Sequence, residues 1–183
     1  MWRLSLLSLL VCLLISGCES QSEATEDFSP GSRVFTTTNF EKAQEQTPFR
    51  ILIPKFQVLD SLMKEDSTSV PKLKIEGTLK KSRKSELDDM LFILYWRPDQ
   101  LSIPEKRVVI VESNREGFQI DPNRSQTKIK STEVSYRKSV DGNEENTLFQ
   151  LKCGEVYVSI ELVNLPFDSG VNLIDSMLPN RCN

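Results

Sequence analysis

Residues 148–163 read LFQLKCGEVYVSIELV. Two apolar runs meet at Gly154, and on the far side Val156, Val158, Ile160 and Leu162 recur at period two with Tyr157, Ser159 and Glu161 between them. Because successive strand side chains point to opposite faces, this is the pattern of a half-buried hairpin turning at the glycine. The chain continues FDSGVNLIDSML over 167–178, where Val171, Ile174 and Leu178 form one helical stripe widened by Leu173 and Met177. Asp168 or Ser169 is available to cap this helix, and Pro179 stops it. A hairpin followed at once by an amphipathic helix predicts a sheet with that helix packed on one face.

The upstream segments extend the same sheet. Leu73, Ile75, Gly77 and Leu79 alternate with Lys74, Glu76 and Thr78, while residues 90–96, MLFILYW, have no polar position and read as a central strand covered on both faces. Residues 108–111 make a further strand, and 128–138 alternate weakly around Ile129, Val134 and Tyr136. Asp141-Gly142-Asn143 signals a turn, and residues 49–53 are a short apolar run stopped by Pro54. Short polar connections between strands favour antiparallel pairing, so the expected class is α+β, mostly an antiparallel β-sheet with a C-terminal helix on one face. A single domain is expected over 47–183. Residues 18–46 are rich in Ser, Thr, Glu and Gln and read as a tether of roughly 30 Å reach, within which 34–40 offers an edge strand or 40–46 a short helical turn.

The N-terminus carries the strongest address. Arg3 supplies a positive charge, residues 4–15 an apolar stretch, and Ser16-Gly17 small residues before Cys18. As a helix the stretch spans roughly 18 Å, short of a bilayer's roughly 30 Å apolar core, so residues 1–17 read as a cleaved signal peptide. The ending Leu14-Ile15-Ser16-Gly17-Cys18 resembles a bacterial lipobox. That resemblance implies lipidation of Cys18 with palmitate-type acyl chains, and hence a membrane partner reached through lipid on the extracytoplasmic side of the bacterial cell envelope. Glu19 stands where some Gram-negative families place an Asp that retains the protein at the inner membrane, which favours the outer membrane if the source is Gram-negative.

Composition excludes several chemistries. There are 23 Lys and Arg against 26 Asp and Glu, so no global positive field exists to hold nucleic acid. Histidine is absent, which removes Ser-His-Asp and Cys-His catalysis, the HExxH zinc site and an imidazole proton switch. Of four cysteines, Cys12 leaves with the signal and Cys18 takes lipid, so Cys153 and Cys182 are the pair for a disulfide in an oxidising compartment. The alternatives are a buried Cys153 with a frayed Cys182, or a redox or metal role, which the lack of a CxxC pair argues against.

The remaining constellations are thin. Lys80, Lys81, Arg83 and Lys84 crowd one loop and form a candidate contact with anionic headgroups or another polyanion, against the plainer reading of a solvated tip. Glu86, Asp88 and Asp89 read as solvated charge, and Asp141 to Glu145 lacks the ligand alternation of a calcium loop. Ser61/Lys64, Ser125/Lys128 and Ser135/Lys138 each match S-x-x-K without the companion motifs of a serine-lysine hydrolase. Tyr95-Trp96 reads as core, with a ligand groove as the alternative. No cofactor, no metal and no enzymatic activity is expected.

Thr47-Pro48-Phe49-Arg50-Ile51-Leu52-Ile53-Pro54 resembles the opening of an uncharacterised extracytoplasmic domain family of bacterial lipoproteins and membrane-anchored envelope regulators, whose pattern is roughly T-P-F-x-[IVL]-x-[IVL]-P. The closing strand, turn, strand and helix over 148–178, with Ser176 near the helix end, are similar to that family's end, although Lys152-Cys153 stands where it often has Trp. The resemblance implies a sensing or interaction module and offers no catalytic residues. The expected function is therefore binding of an envelope protein or apolar ligand by a membrane-anchored lipoprotein, with a structural role in envelope assembly as the alternative. A deep cavity would favour the ligand, a broad flat apolar patch a protein partner, and paired acids in a cleft an enzyme.

Overall fold

The computed structural model describes residues 32–63, 71–80, 89–97, 106–114, 124–179 and 182. Among these, the strands are β1 (Ser32–Thr37), β2 (Lys72–Lys80), β3 (Met90–Arg97), β4 (Lys106–Ser113), β5 (Ser125–Ile129), β6 (Thr132–Asp141), β7 (Glu144–Cys153) and β8 (Val156–Val163). The helices are α1 (Phe40–Gln46), α2 (Phe56–Met63) and α3 (Phe167–Met177). One sheet runs β1-β2-β3-β4-β8-β7-β6-β5 with every neighbouring pair antiparallel. It consists of two four-stranded meanders joined where β4 meets β8, with Val108 opposite Leu162 and Ile110 opposite Ile160. The fold is α+β and mostly antiparallel sheet, as the alternating sequence predicts.

The hairpin that decides the fold forms as read. Cys153 pairs with Val156 across a turn in which Gly154 takes a φ of 61°, a left-handed conformation that glycine adopts without a Cβ clash. Val156, Val158, Ile160 and Leu162 are all buried. The β6–β7 turn is Gly142-Asn143, with Gly142 at φ 62°. The weakly alternating 128–138 stretch is not one strand: Lys130, at φ 53°, turns the chain between β5 and β6.

All three helices lie on one face. Gly170 brings α3 so close to β7 and β8 that an added Cβ would overlap the Phe149 ring and crowd a Leu162 methyl. The rings of Tyr136, Phe149 and Phe167 cluster at centroid separations of 4.8–6.2 Å and seat the start of that helix. Neither Asp168 nor Ser169 caps α3: Pro166 occupies the cap position without a side-chain bond. At the other end Lys130 Nζ donates to the carbonyls of Asp175 and Leu178 at 2.6 and 2.9 Å, a cation at the negative end of the helix dipole. Phe56 of α2 meets Tyr95 edge to face at 6.4 Å, and Leu59 and Met63 of the same helix are buried one turn apart.

Two expectations are corrected. β3 is interior to the sheet, but among its described side chains Leu91, Ile93 and Tyr95 are buried, Phe92 and Leu94 are half-buried and Met90 is 38% exposed. The second face of the strand carries Phe92 and Leu94, which pack beside Val111 and Val109 of β4 and are half-buried rather than covered. The folded part also begins before Thr47. β1 pairs along its length with β2, its Phe35 ring fills the space above Gly77, and Asn39 caps α1 by accepting from the Glu41 and Lys42 amides at 2.8 and 3.2 Å. A polar strand with one large apolar residue suffices at a sheet edge, so the tether expected over 18–46 gives way, from Ser32 on, to the edge strand and the short helix expected as alternatives within it at 34–40 and 40–46.

Candidate functional site

Residues 47–55 cross the helix-covered face without regular backbone pairing. Ile51 and Leu52 are buried while Ile53 is 39% exposed. Such a segment must satisfy its backbone groups with side chains, and it does so from three elements. Gln44 of α1 clamps it, Nε2 donating to the Phe49 carbonyl and Oε1 accepting from the Ile51 amide, both at 3.0 Å. Glu112 of β4 accepts from the Leu52 amide at 2.9 Å. Ser176 of α3 accepts from the Lys55 amide at 3.4 Å while donating to the Leu173 carbonyl at 2.7 Å. The segment is thus a strap tied to the first helix, the sheet centre and the last helix.

Glu112 is the unusual member. Strand alternation puts it on the face of Val108 and Ile110, and the register sets it between Leu91 of β3 and Val158 of β8. It is 0% exposed. Its Oε1 has no hydrogen-bond partner among the described residues. Burial pushes its pKa up to about 8, and the Leu52 amide, which favours the charged form, only partly opposes this. Burial therefore favours the neutral form of Glu112 in the folded protein. Sequence reading stopped the strand at Val111 and missed it; the period-two pattern Val108, Ile110, Glu112 was the available signal.

Beside the strap lies a cavity of about 510 Å³, within the range of small-molecule sites. One wall is strap residues Pro48 to Leu52, the second is the β7–β8 turn with Glu155 and Val156, and the third is the C-terminal tail with Pro179 and Cys182. Asn114, just beyond β4, also lines it. Cys153 and Cys182 form a disulfide, 4.5 Å between Cα atoms, which fixes the tail against the turn and so sets that wall. The lining mixes Phe49, Ile51 and Val156 with Arg50, Glu155 and Asn114 in about equal polar and apolar share, and the cavity is partly open to solvent.

The other singled-out residues fall elsewhere. Lys80 ends β2, and Lys81, Arg83 and Lys84 lie outside the described residues, as do Cys18, Glu86 and Asp88. Asp89 is not solvated: it is buried, its carboxylate accepts from Asn114 Nδ2 at 3.3 Å and its carbonyl from Ser113 Oγ at 3.1 Å. Tyr95 is core, 3% exposed. Ser135 and Lys138 do not meet: three residues apart on a strand they face opposite ways, Ser135 Oγ toward the Gln150 carbonyl and Lys138 over the Phe167 ring. Among the described residues no three metal-ligating side chains cluster. No protein family, curated protein or solved structure matches the chain.

Proposed function

We propose that this protein is a membrane-anchored extracytoplasmic lipoprotein that acts by binding, taking an apolar ligand with a polar end into the cavity between strap, β7–β8 turn and disulfide-fixed tail. The observation that carries the reading is that cavity, whose walls come from three separate parts of the chain and whose size matches a small ligand. Support for the location comes from the sequence ISGC at 15–18 and from a disulfide, the kind of bond that persists in oxidising compartments. A lipid on Cys18 would hold the domain at its membrane and raise its effective concentration toward envelope partners. Lys80, Lys81, Arg83 and Lys84 are proposed to touch anionic headgroups from there. We further propose that the protein is non-enzymatic, a reading that rests on the sequence, which carries no histidine.

A second reading, an envelope structural component or partner-docking module, is favoured by the opposite sheet face. There Phe92 and Leu94 of β3 are half-buried beside Val109 and Val111 of β4, and no helix covers them among the described residues. Two measurements separate the readings. Intact mass from the native membrane should show cleavage before Cys18 plus acyl chains; an unmodified Cys18 would sink the anchor. Native mass spectrometry of the protein extracted from its envelope should show a co-purifying small molecule that a bulky Gly154-side substitution, Val156→Trp, displaces. Loss of partner crosslinks from Val109→Asp, with no small molecule found, would favour the second reading.

A further inference from the structure

Glu112 sits in the middle of the core face, and what surrounds it decides where water can reach it. Along the sheet its neighbours are Leu91 and Val158, both hydrogen-bonded into β3 and β8 and both almost wholly buried. The next rows on its own strand are Ile110 and the Asn114 position. Leu91, Val158 and Ile110 are held in ladders and do not open without breaking them, whereas Asn114 lies beyond the end of β4 and is exposed. Above it lies the strap, whose Leu52 amide is the hydrogen-bond partner of Glu112 among the described residues; beyond Thr47, which bonds back to Ala43 and Gln44 of α1, the strap is tied by side-chain bonds from Gln44, Glu112 and Ser176 and by the burial of Ile51 and Leu52. A segment held by a few such bonds opens at lower free energy than an interior strand.

The charged and titratable groups around Glu112 are few. On β3, Asp89 shares its face one row along and is bonded to Asn114. On β8 the same face carries Val156, Val158 and Ile160, with Glu155 exposed in the turn. On the strap, Arg50 and Lys55 are exposed. Glu112 has no ion pair among the described residues, so a charge formed on it finds no compensation except water.

We propose that Glu112 and the strap form a pH-responsive latch on the cavity: the neutral acid lets residues 48–52 lie closed over the core face, and its ionisation drives the strap open so that water can solvate the carboxylate. Opening removes the wall made by Pro48 to Leu52, so the cavity is intact on the acid side and loses its shape on the alkaline side. The sign follows from which form is buried. Closure leaves the proton on, so the closed strap is favoured below the pH at which buried Glu112 titrates and disfavoured above it. The latch stands on the strap's geometry, and only its consequence for occupancy rests on the binding reading above.

The test needs no ligand. Amide hydrogen exchange of the full mature protein, corrected for the intrinsic pH dependence of exchange, is followed between pH 6 and pH 9. Protection of the peptide over 48–53 should fall more than about tenfold across that range, tracking the ionised fraction, while the peptide over 158–162 stays constant. Glu112→Gln, which cannot ionise, should hold the strap's protection flat; Asp89→Asn should leave the wild-type fall in place. Constant strap protection in the wild type, an equal fall in Glu112→Gln, or loss of the fall in Asp89→Asn would each overturn the latch. Should Glu112→Gln fail to fold, carboxyl carbon NMR of the wild type decides: titration of Glu112 well above the ordinary carboxyl range supports the latch, and titration near 4.5 refutes it. Failure to find a ligand leaves this outcome untouched.

Discussion

Replacing Cys153 and Cys182 together by Ser should destabilise the domain by an amount set largely by the unfolded chain. The bridge spans 29 residues of sequence. In the chain-entropy treatment a loop of that length removes about 3.6 kcal/mol of freedom from the unfolded state at 25 °C. For a domain of this size each kcal/mol is worth roughly 2–4 °C, so the melting temperature should drop by about 7–14 °C. Urea unfolding of wild type and double variant, with a Cys153→Ala/Cys182→Ala pair to separate the cost of a hydroxyl near the core, gives the stability directly. The same curves carry a second signature, because an uncrosslinked unfolded chain is more expanded and should raise the urea m-value. A loss below about 1 kcal/mol, or an m-value unchanged by the substitution, would refute the argument that the bridge acts on the unfolded state. Reductant added to the wild type should reproduce the double variant, and a wild type indifferent to reductant would deny the bridge itself.

Glu112→Gln should flatten the pH dependence of stability: the wild-type carboxyl is raised from 4.5 to about 8, so its native state is strongest below pH 4.5, weakens between 4.5 and 8 and is level above. At about 1.4 kcal/mol per pH unit the full range approaches 5 kcal/mol, capped at the strap's opening cost if the latch relieves it first, and urea midpoints at pH 5, 7 and 9 read it. Gly170→Ala should destabilise by about 1–3 kcal/mol in chemical denaturation, since Phe149 is fully buried and cannot yield; the substitution's helix-propensity gain of about 1 kcal/mol would show instead if the helix lifts freely. Asn39→Ala should cost about 0.5–2 kcal/mol by removing the α1 cap, and Asn39→Asp should restore most of it; equal losses would mean the cap bonds contribute nothing.

Alternation made the sheet legible. Wherever one face is buried and the other wet, as at Val156 to Leu162 or Leu73 to Leu79, period two survives in the sequence and the strand can be read. α3 was visible for the same reason at period 3.6, although its cap was not, because Pro166 satisfies backbone geometry without a side-chain acceptor. The strap and α2 were not visible. Residues 49–53 are apolar enough for a strand, and nothing local reveals that their partners are Gln44, Glu112 and Ser176, the last two 60 and 121 residues away from the amides they bind. The edge strand expected over 34–40 and the helical turn expected as its alternative over 40–46 both form, as β1 and α1, although polarity, which an edge tolerates, places them in a tether by composition. The disulfide was reachable by elimination among four cysteines, whereas the cavity it helps to wall was not, since its three sides are distant in sequence.

Glu112 is the place where the local rules of this fold disagree with one another. Its strand pattern demands an apolar residue between Leu91 and Val158, and a Leu or Val there would complete the row without a desolvation cost. Such a residue would also leave the Leu52 amide without an acceptor, at a cost of about 1–3 kcal/mol, because the strap has no ladder partner at that point. An amide side chain would satisfy Leu52 equally well and would never ionise, so the acceptor requirement explains a polar residue but does not explain an acid. What an acid adds is a response to protons behind the strap, at the Leu52 amide, although Glu112 itself does not line the cavity that the strap walls. The opposing wall is fixed by the Cys153–Cys182 bridge, which does not titrate. One side of the cavity is therefore held covalently, while the strap side is held by the side chains of Gln44, Ser176 and Glu112, and in the proposed latch only the last of these changes with pH.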